Sequence, residues 1–201
     1  MAFATIRRGA SKDGYIAVPV EGSSFFIPSS QAALLALHED QELSEQEFHD
    51  LRLKVLGQRC QQKAMTYLAR REHSRRELEL KLKMKEFPQD IIEEQLDVLQ
   101  KRNLLSDQRF AEQFIISRQR KHPEGPSVLI IRLLQRGVDR EIADAAVRQW
   151  FADDGSADDA LARAARRLAR SCGNDERRLS DQLRRKGFDS SQIRRLFDAE
   201  S

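Results

Sequence analysis

The chain has 201 residues, 33% of them charged and 40% hydrophobic, and aromatic residues make up only 6%. Its 35 Lys and Arg nearly cancel its 32 Asp and Glu, so the formal charge of +3 argues for no class of partner, and any useful field must come from local clusters. Two distant cysteines (Cys60 and Cys172), a start with no charged-then-apolar leader and the lack of any long apolar run exclude a disulfide framework, a secretory signal and a membrane span, so a soluble protein of the reducing cytoplasm is expected.

The first segment is unlike the rest. Thr5 to Arg8, Tyr15 to Val20 and Ser24 to Ile27 are short runs rich in β-branched or aromatic residues, separated by turn signals at Gly9, Asp13-Gly14 and Glu21-Gly22-Ser23. The second and third runs predict a β-hairpin, followed by a short helix around Gln31 to His38. At Ser44 the pattern turns helical. Ser44 and Glu47 form a capping box, and Phe48, Leu51, Val55 and Leu56 recur at helical spacing, through Ala64 and Leu68 to about Arg71.

From about Ala64 the chain repeats with a period near 50 residues, which points to an array of supersecondary units. Each unit reads helix–turn–helix–turn–helix. The second and third helices meet at Glu86-Phe87-Pro88, at Arg136-Gly137-Val138-Asp139 and at Lys186-Gly187-Phe188-Asp189. Gly137 and Gly187 stand where a helix must end in a left-handed residue; Glu86 occupies the same place, with Pro88 enforcing the break. The third helices share a stripe: Ile92, Leu96 and Leu99; Ile142, Ala145, Ala146 and Trp150; Ile193, Leu196 and Phe197. The predicted organisation is an N-terminal region over 1–43, a long helix over 44–72, and three-helix repeats over 64–106, 107–155 and 156–201. Leu78, Leu80, Leu82 and Met84 alternate with Glu and Lys, which favour helix over strand. As a helix the segment points Leu78 and Leu82 inward and Leu80 and Met84 outward, either against a neighbouring repeat or toward a partner.

Leu105-Ser106-Asp107-Gln108-Arg109-Phe110-Ala111-Glu112-Gln113-Phe114, then Ser117-Arg118 and Gly125, resembles the signature of the RecX family. So do the Ser74-Arg75-Arg76-Glu77-Leu78 start with Lys81-Leu82, and the Arg136-Gly137 and Lys186-Gly187-Phe188 turns. The match runs in order over about two-thirds of the chain. The resemblance implies a mostly α fold of tandem three-helix units in an elongated, curved array. It also implies a non-catalytic regulator that binds the RecA–DNA filament and limits its growth, ATP hydrolysis, strand exchange and co-protease activity.

The residues themselves carry no sign of chemistry. His38, His49, His73 and His122 are scattered surface or turn residues without ligand spacing, and no glycine-rich loop could cradle a phosphate. Cys60 and Cys172 read as small packing residues, and no catalytic residue, cofactor or metal site is assigned. Basic clusters remain: Arg70, Arg71, Arg75 and Arg76 at the first inter-helix turn, Arg118, Arg120 and Lys121 at the second, and Arg163, Arg166, Arg167, Arg170, Arg177 and Arg178 at the third. Arg184, Arg185 and Lys186 add a patch near the C-terminus. Two partners suit such a surface: acidic groups in a RecA groove, which take bidentate guanidinium contacts, and the phosphates of single- or double-stranded DNA. A helix–turn–helix DNA-binding protein is the rival from another class, but few Asn or Gln residues stand at helix starts to read base edges. A plain helical scaffold is the third reading. A monomer is expected, since each unit can bury its apolar face against the next.

Overall fold

The computed structural model describes residues 2–10, 13–152, 156–173 and 175–200. The chain divides into two compact units: Met1–Met65 with Leu82–Val98, and Thr66–Lys81 with Leu99–Ser201. Asn174, expected in the turn of the third repeat, and residues 153–155, where the second repeat is expected to end, lie outside the described residues.

In the first unit the predicted hairpin is part of a four-stranded antiparallel sheet. Strands β1 (Ala4–Arg8), β2 (Gly14–Pro19), β3 (Phe25–Pro28) and β4 (Glu42–Leu43) lie in the order β3-β2-β1-β4. β2 pairs with β3 as expected, placing Ile16 opposite Phe26. β2 also pairs with β1, and Ala4 of β1 pairs with Leu43. The two-residue β4 is too short to leave an alternating pattern in the sequence.

Helix α1 (Ser29–Leu34) stops short of the predicted end because Ala36 takes a left-handed φ of 52°, and the Leu37 N–H returns to the Ala32 carbonyl. Helix α2 (Glu45–Leu68) starts at the expected box: the Ser44 N–H donates to Glu47 Oε2 at 2.8 Å and the Glu47 N–H to Ser44 Oγ at 3.3 Å. Phe48, Leu51 and Val55 pack with Ala4, Ile6, Ala17 and Ile27 from the sheet, and Phe3 and Phe25 meet the Phe48 ring at 5.4 and 5.3 Å. Cys60 is buried on the same helix, and burial pushes its thiol up to about 11, which makes it a packing group and a poor nucleophile at neutral pH.

Among the described residues eight further helices follow: α3 (Arg75–Lys83), α4 (Gln89–Lys101), α5 (Asp107–Lys121), α6 (Pro126–Leu134), α7 (Arg140–Ala152), α8 (Ser156–Cys172), α9 (Glu176–Arg185) and α10 (Ser190–Glu200). The chain is therefore mostly α, as its patterning implies. The ambiguous segment is helix α3, with Leu78 and Leu82 fully buried. Leu80 and Met84 stay 47% and 73% exposed, so no neighbouring repeat covers them.

The repeat is visible in equivalent residues. Leu82, Leu133 and Leu183, each near the end of a second helix, are all completely buried. Glu86, Gly137 and Gly187 then take φ of 62°, 76° and 89°. Two of these positions are glycine because something presses against them. A Cβ on Gly187 would lie 2.7 Å from both Ser127 Oγ and the Val128 nitrogen, and one on Gly137 would lie 2.4 Å from Arg76 Cβ. The predicted α7 stripe holds at Ile142, Ala146 and Trp150, which pack on the core, and is joined by the buried Ala143 and Val147, whereas Ala145 faces out.

Inside the second unit, successive repeats join by one rule. The start of a second helix docks on the glycine turn of the repeat that follows. Ser74 Oγ donates to the Arg136 carbonyl at 2.6 Å; Ser127 Oγ donates to the Gly187 carbonyl at 3.1 Å, and the Gly125 N–H to the Lys186 carbonyl at 2.8 Å. Gly125 has no room for a side chain, since a Cβ would fall 2.0 Å from the Gly187 oxygen. Gly125→Ala is therefore expected to cost about 2 kcal/mol, because backbone must move on both sides. Hydrogen exchange should show protection lost in α9 and α10 with the β-sheet unaffected; equal protection in α9 would contradict the joint.

Candidate functional site

The sixteen basic candidates divide sharply once their partners are seen. At the first turn, Arg71 Nη1 donates to the Glu72 carbonyl at 2.8 Å and pairs with Glu77 at 2.9 Å, while Arg76 pairs with Glu79 at 3.1 Å. The Arg75 guanidinium donates to Gln100 Oε1. Its backbone N–H, an orphan donor at the start of α3, is taken by Asp107 Oδ1 at 2.8 Å. Burial raises the Asp107 carboxyl above the usual range, against the opposing pull of that N–H. Arg70 is exposed.

At the second turn Arg118 serves the fold. Its guanidinium meets Glu124 at 2.7 Å, and Arg132 meets the same carboxylate at 2.8 and 2.9 Å. Glu124 is only 3% exposed, and Gln119, also buried, exchanges hydrogen bonds with its backbone. Burial would raise the Glu124 carboxyl, but hydrogen bonds and charge from the two guanidinium groups outweigh it and hold it below the usual range. Arg120 and Lys121 are exposed.

In the third repeat the arginine column of α8 has two jobs. Arg163 pairs with Asp159 at 3.0 Å and donates to the Gln119 carbonyl at 3.3 Å, and Arg167 donates to the Lys121 carbonyl. Both thus close the C-terminal end of α5, where carbonyls lack helical partners and positive charge is favoured. Arg166 and Arg170 face solvent, as do Arg177, Arg178 and Arg185 on α9, and among the described residues none of these five has an ion-pair partner. Arg184 pairs with Asp181 at 3.1 Å, and the half-buried Lys186 contributes its carbonyl to the joint with Gly125.

The free charge is therefore densest in the third repeat; of the first two clusters, Arg71, Arg75, Arg76 and Arg118 are engaged by neighbouring side chains, and Arg70, Arg120 and Lys121 stay exposed. Sequence reading missed Glu124 and Arg132, and met Arg109 and Arg136 only as parts of the signature and the turn, with no partner assigned. Arg109 pairs with Glu72 at 2.9 Å, and Arg136 lies over the Phe114 ring at 4.5 Å. No local pattern announces them, because their partners come from other helices. His73 stands in the turn between α2 and α3 but is buried there and not at the surface; its Nδ1 lies 3.0 Å from the Arg71 carbonyl, and burial lowers its pKa. Among the described residues no cluster of His, Cys, Asp and Glu is placed to hold a metal, and no helix is long and apolar enough to cross a membrane.

Two family models match the chain: the first three-helix domain of RecX over residues 60–99, and the second over 106–147. The regulatory protein RecX of Prosthecochloris aestuarii is 40% identical over 139 residues, which span 68% of this chain and 89% of that protein. The regulatory protein RecX of Chlorobium phaeobacteroides is 34% identical over 138 residues, 67% and 89% of the two chains. Among solved structures, a regulatory protein RecX superposes with a TM-score of 0.76 at 20% identity, covering 98% of this chain and all of the other. RecX from Lactobacillus salivarius gives 0.63 at 23% identity, over 72% and 96%. At those identities the two structures establish likeness of fold, for the first over nearly the whole chain.

Proposed function

Because the chain belongs to the RecX family of regulatory proteins, we propose that it binds the RecA filament assembled on DNA and restrains its recombinase, ATPase and co-protease activities without chemistry of its own. The observation that carries this reading is the exposed basic surface of the third repeat, where Arg166, Arg170, Arg177, Arg178 and Arg185 have no ion-pair partner among the described residues. Arg166 and Arg170 lie one turn apart on α8 and offer guanidinium forks to carboxylate or phosphate. Their exposure keeps each contact individually weak, so binding needs several in register.

The test is co-sedimentation with RecA filaments on single-stranded DNA, compared with DNA alone and RecA alone. The protein should pellet with the filament more strongly than with either component. Arg166→Glu with Arg170→Glu is expected to weaken filament binding about tenfold, about 1.4 kcal/mol, with helicity unchanged. Arg167 is left intact in that variant because it closes α5. Undiminished binding would remove α8 from the interface, and binding to bare DNA alone would favour the direct DNA-binding reading.

A further inference from the structure

Helices α9 and α10 enclose a cleft of about 460 Å³. Arg177, Ser180 and Arg184 line it from α9 at positions i, i+3 and i+7, one face of that helix. Ser190, Arg194 and Phe197 line it from α10 at i, i+4 and i+7, again one face. Three guanidinium groups and two hydroxyls thus converge over an apolar floor. Arg184 is steadied by Asp181 and reaches Ser190 Oγ at 3.3 Å, whereas Arg177 and Arg194 are exposed and have no partner among the described residues. Arg194 stands in the third helix, outside every basic cluster legible in the sequence.

We infer that this cleft is a phosphate-binding site for the backbone of single-stranded DNA. Arginine and serine are among the side chains that hold phosphodiester oxygens without reading bases. Arg177 and Arg184 lie two helical turns apart, about 10 Å along the axis, a spacing that serves separate phosphates of one strand. Between Arg163 and Arg195 the chain carries eleven basic residues against four acidic ones, Asp175, Glu176, Asp181 and Asp189. Arg166 and Arg170 on α8 are exposed as well. Charge this dense matches a polyanion better than the isolated carboxylates of a protein partner, although Glu176 also lines the cleft and opposes a phosphate there. The role of the site within a filament rests on the function proposed above; its chemistry is tested without RecA.

The experiment is anisotropy of a labelled oligothymidylate titrated with the full chain at several salt concentrations. Arg177→Ala with Arg194→Ala removes two phosphate contacts. It should make the salt slope shallower by about 1.4 and weaken binding roughly 25-fold at 0.1 M salt. Arg177→Lys with Arg194→Lys keeps the charges and should retain most of the affinity, which separates loss of contact from loss of fold. Unchanged affinity and slope in the alanine variant would overturn the assignment. So would unchanged DNA binding accompanied by lost binding to an oligoglutamate, which would give the cleft to acidic peptides. Co-sedimentation with the RecA filament reads the other proposal separately: a protein that holds DNA through this cleft but ignores the filament keeps the site and loses that function.

Discussion

Phe110→Ala is expected to lower the stability of the second repeat by about 4 kcal/mol, as truncating a buried aromatic does when the cavity cannot collapse. Phe110 is 3% exposed and belongs to the buried cluster that holds Ala111, Ile115, Leu129, Leu133, Ala143 and Val147, drawn from all three helices of its repeat. Its ring lies 6.1 Å from that of Phe114, which in turn carries the Arg136 guanidinium. Removing the ring thus loosens both the core and the strand of chain leading to the Gly137 turn. Denaturant unfolding monitored at Trp150, which packs against the same cluster, should show the midpoint fall. An unchanged midpoint would mean that the repeat is not organised around this residue.

Glu124→Ala is expected to cost about 3 kcal/mol, near the lower end for breaking a buried ion pair because both arginines retain some contact with water. The carboxylate is the common acceptor for Arg118 and Arg132, from α5 and α6, and the Glu124 backbone is fixed by Gln119. Without it two guanidinium groups lose their partner at the point where the chain enters the Gly125 joint. The pH dependence has a definite sign. Because the folded-state carboxyl is held below its ordinary value, its contribution is fully present above that value and is lost as the pH falls through the folded one. Wild-type stability should therefore decline in acid more steeply than that of Glu124→Gln, which has no proton to bind. Parallel acid profiles for the two proteins would show that the carboxylate charge contributes nothing.

Local chemistry made much of the fold legible. The Ser44–Glu47 box and the left-handed helix ends at Gly137 and Gly187 are set within a few residues, so spacing alone locates them, whereas the contacts that press on those two glycines come from distant residues. What depends on distant partners was not legible. β4 is two residues held by β1, and the Ser74–Arg136 bond joins residues 62 apart. The basic clusters show the same division. Their recurrence suggested one shared role, yet Arg163 and Arg167 are turned to helix-end carbonyls 44 and 46 residues away, and Arg118 to a buried carboxylate. Arg194 went unnoticed for the converse reason: it becomes part of a basic cleft only when α10 folds back beside α9.

The central claim, that the protein restrains a RecA filament, is tested most directly by the ATPase rate of the cognate RecA on single-stranded DNA, with the protein added well below one copy per RecA. Inhibition at such ratios is the predicted result, since a regulator that occupies a filament affects more protomers than it touches. An unaffected rate, with tight and salt-sensitive binding to DNA alone, would contradict it and leave a DNA-binding protein built on the same fold.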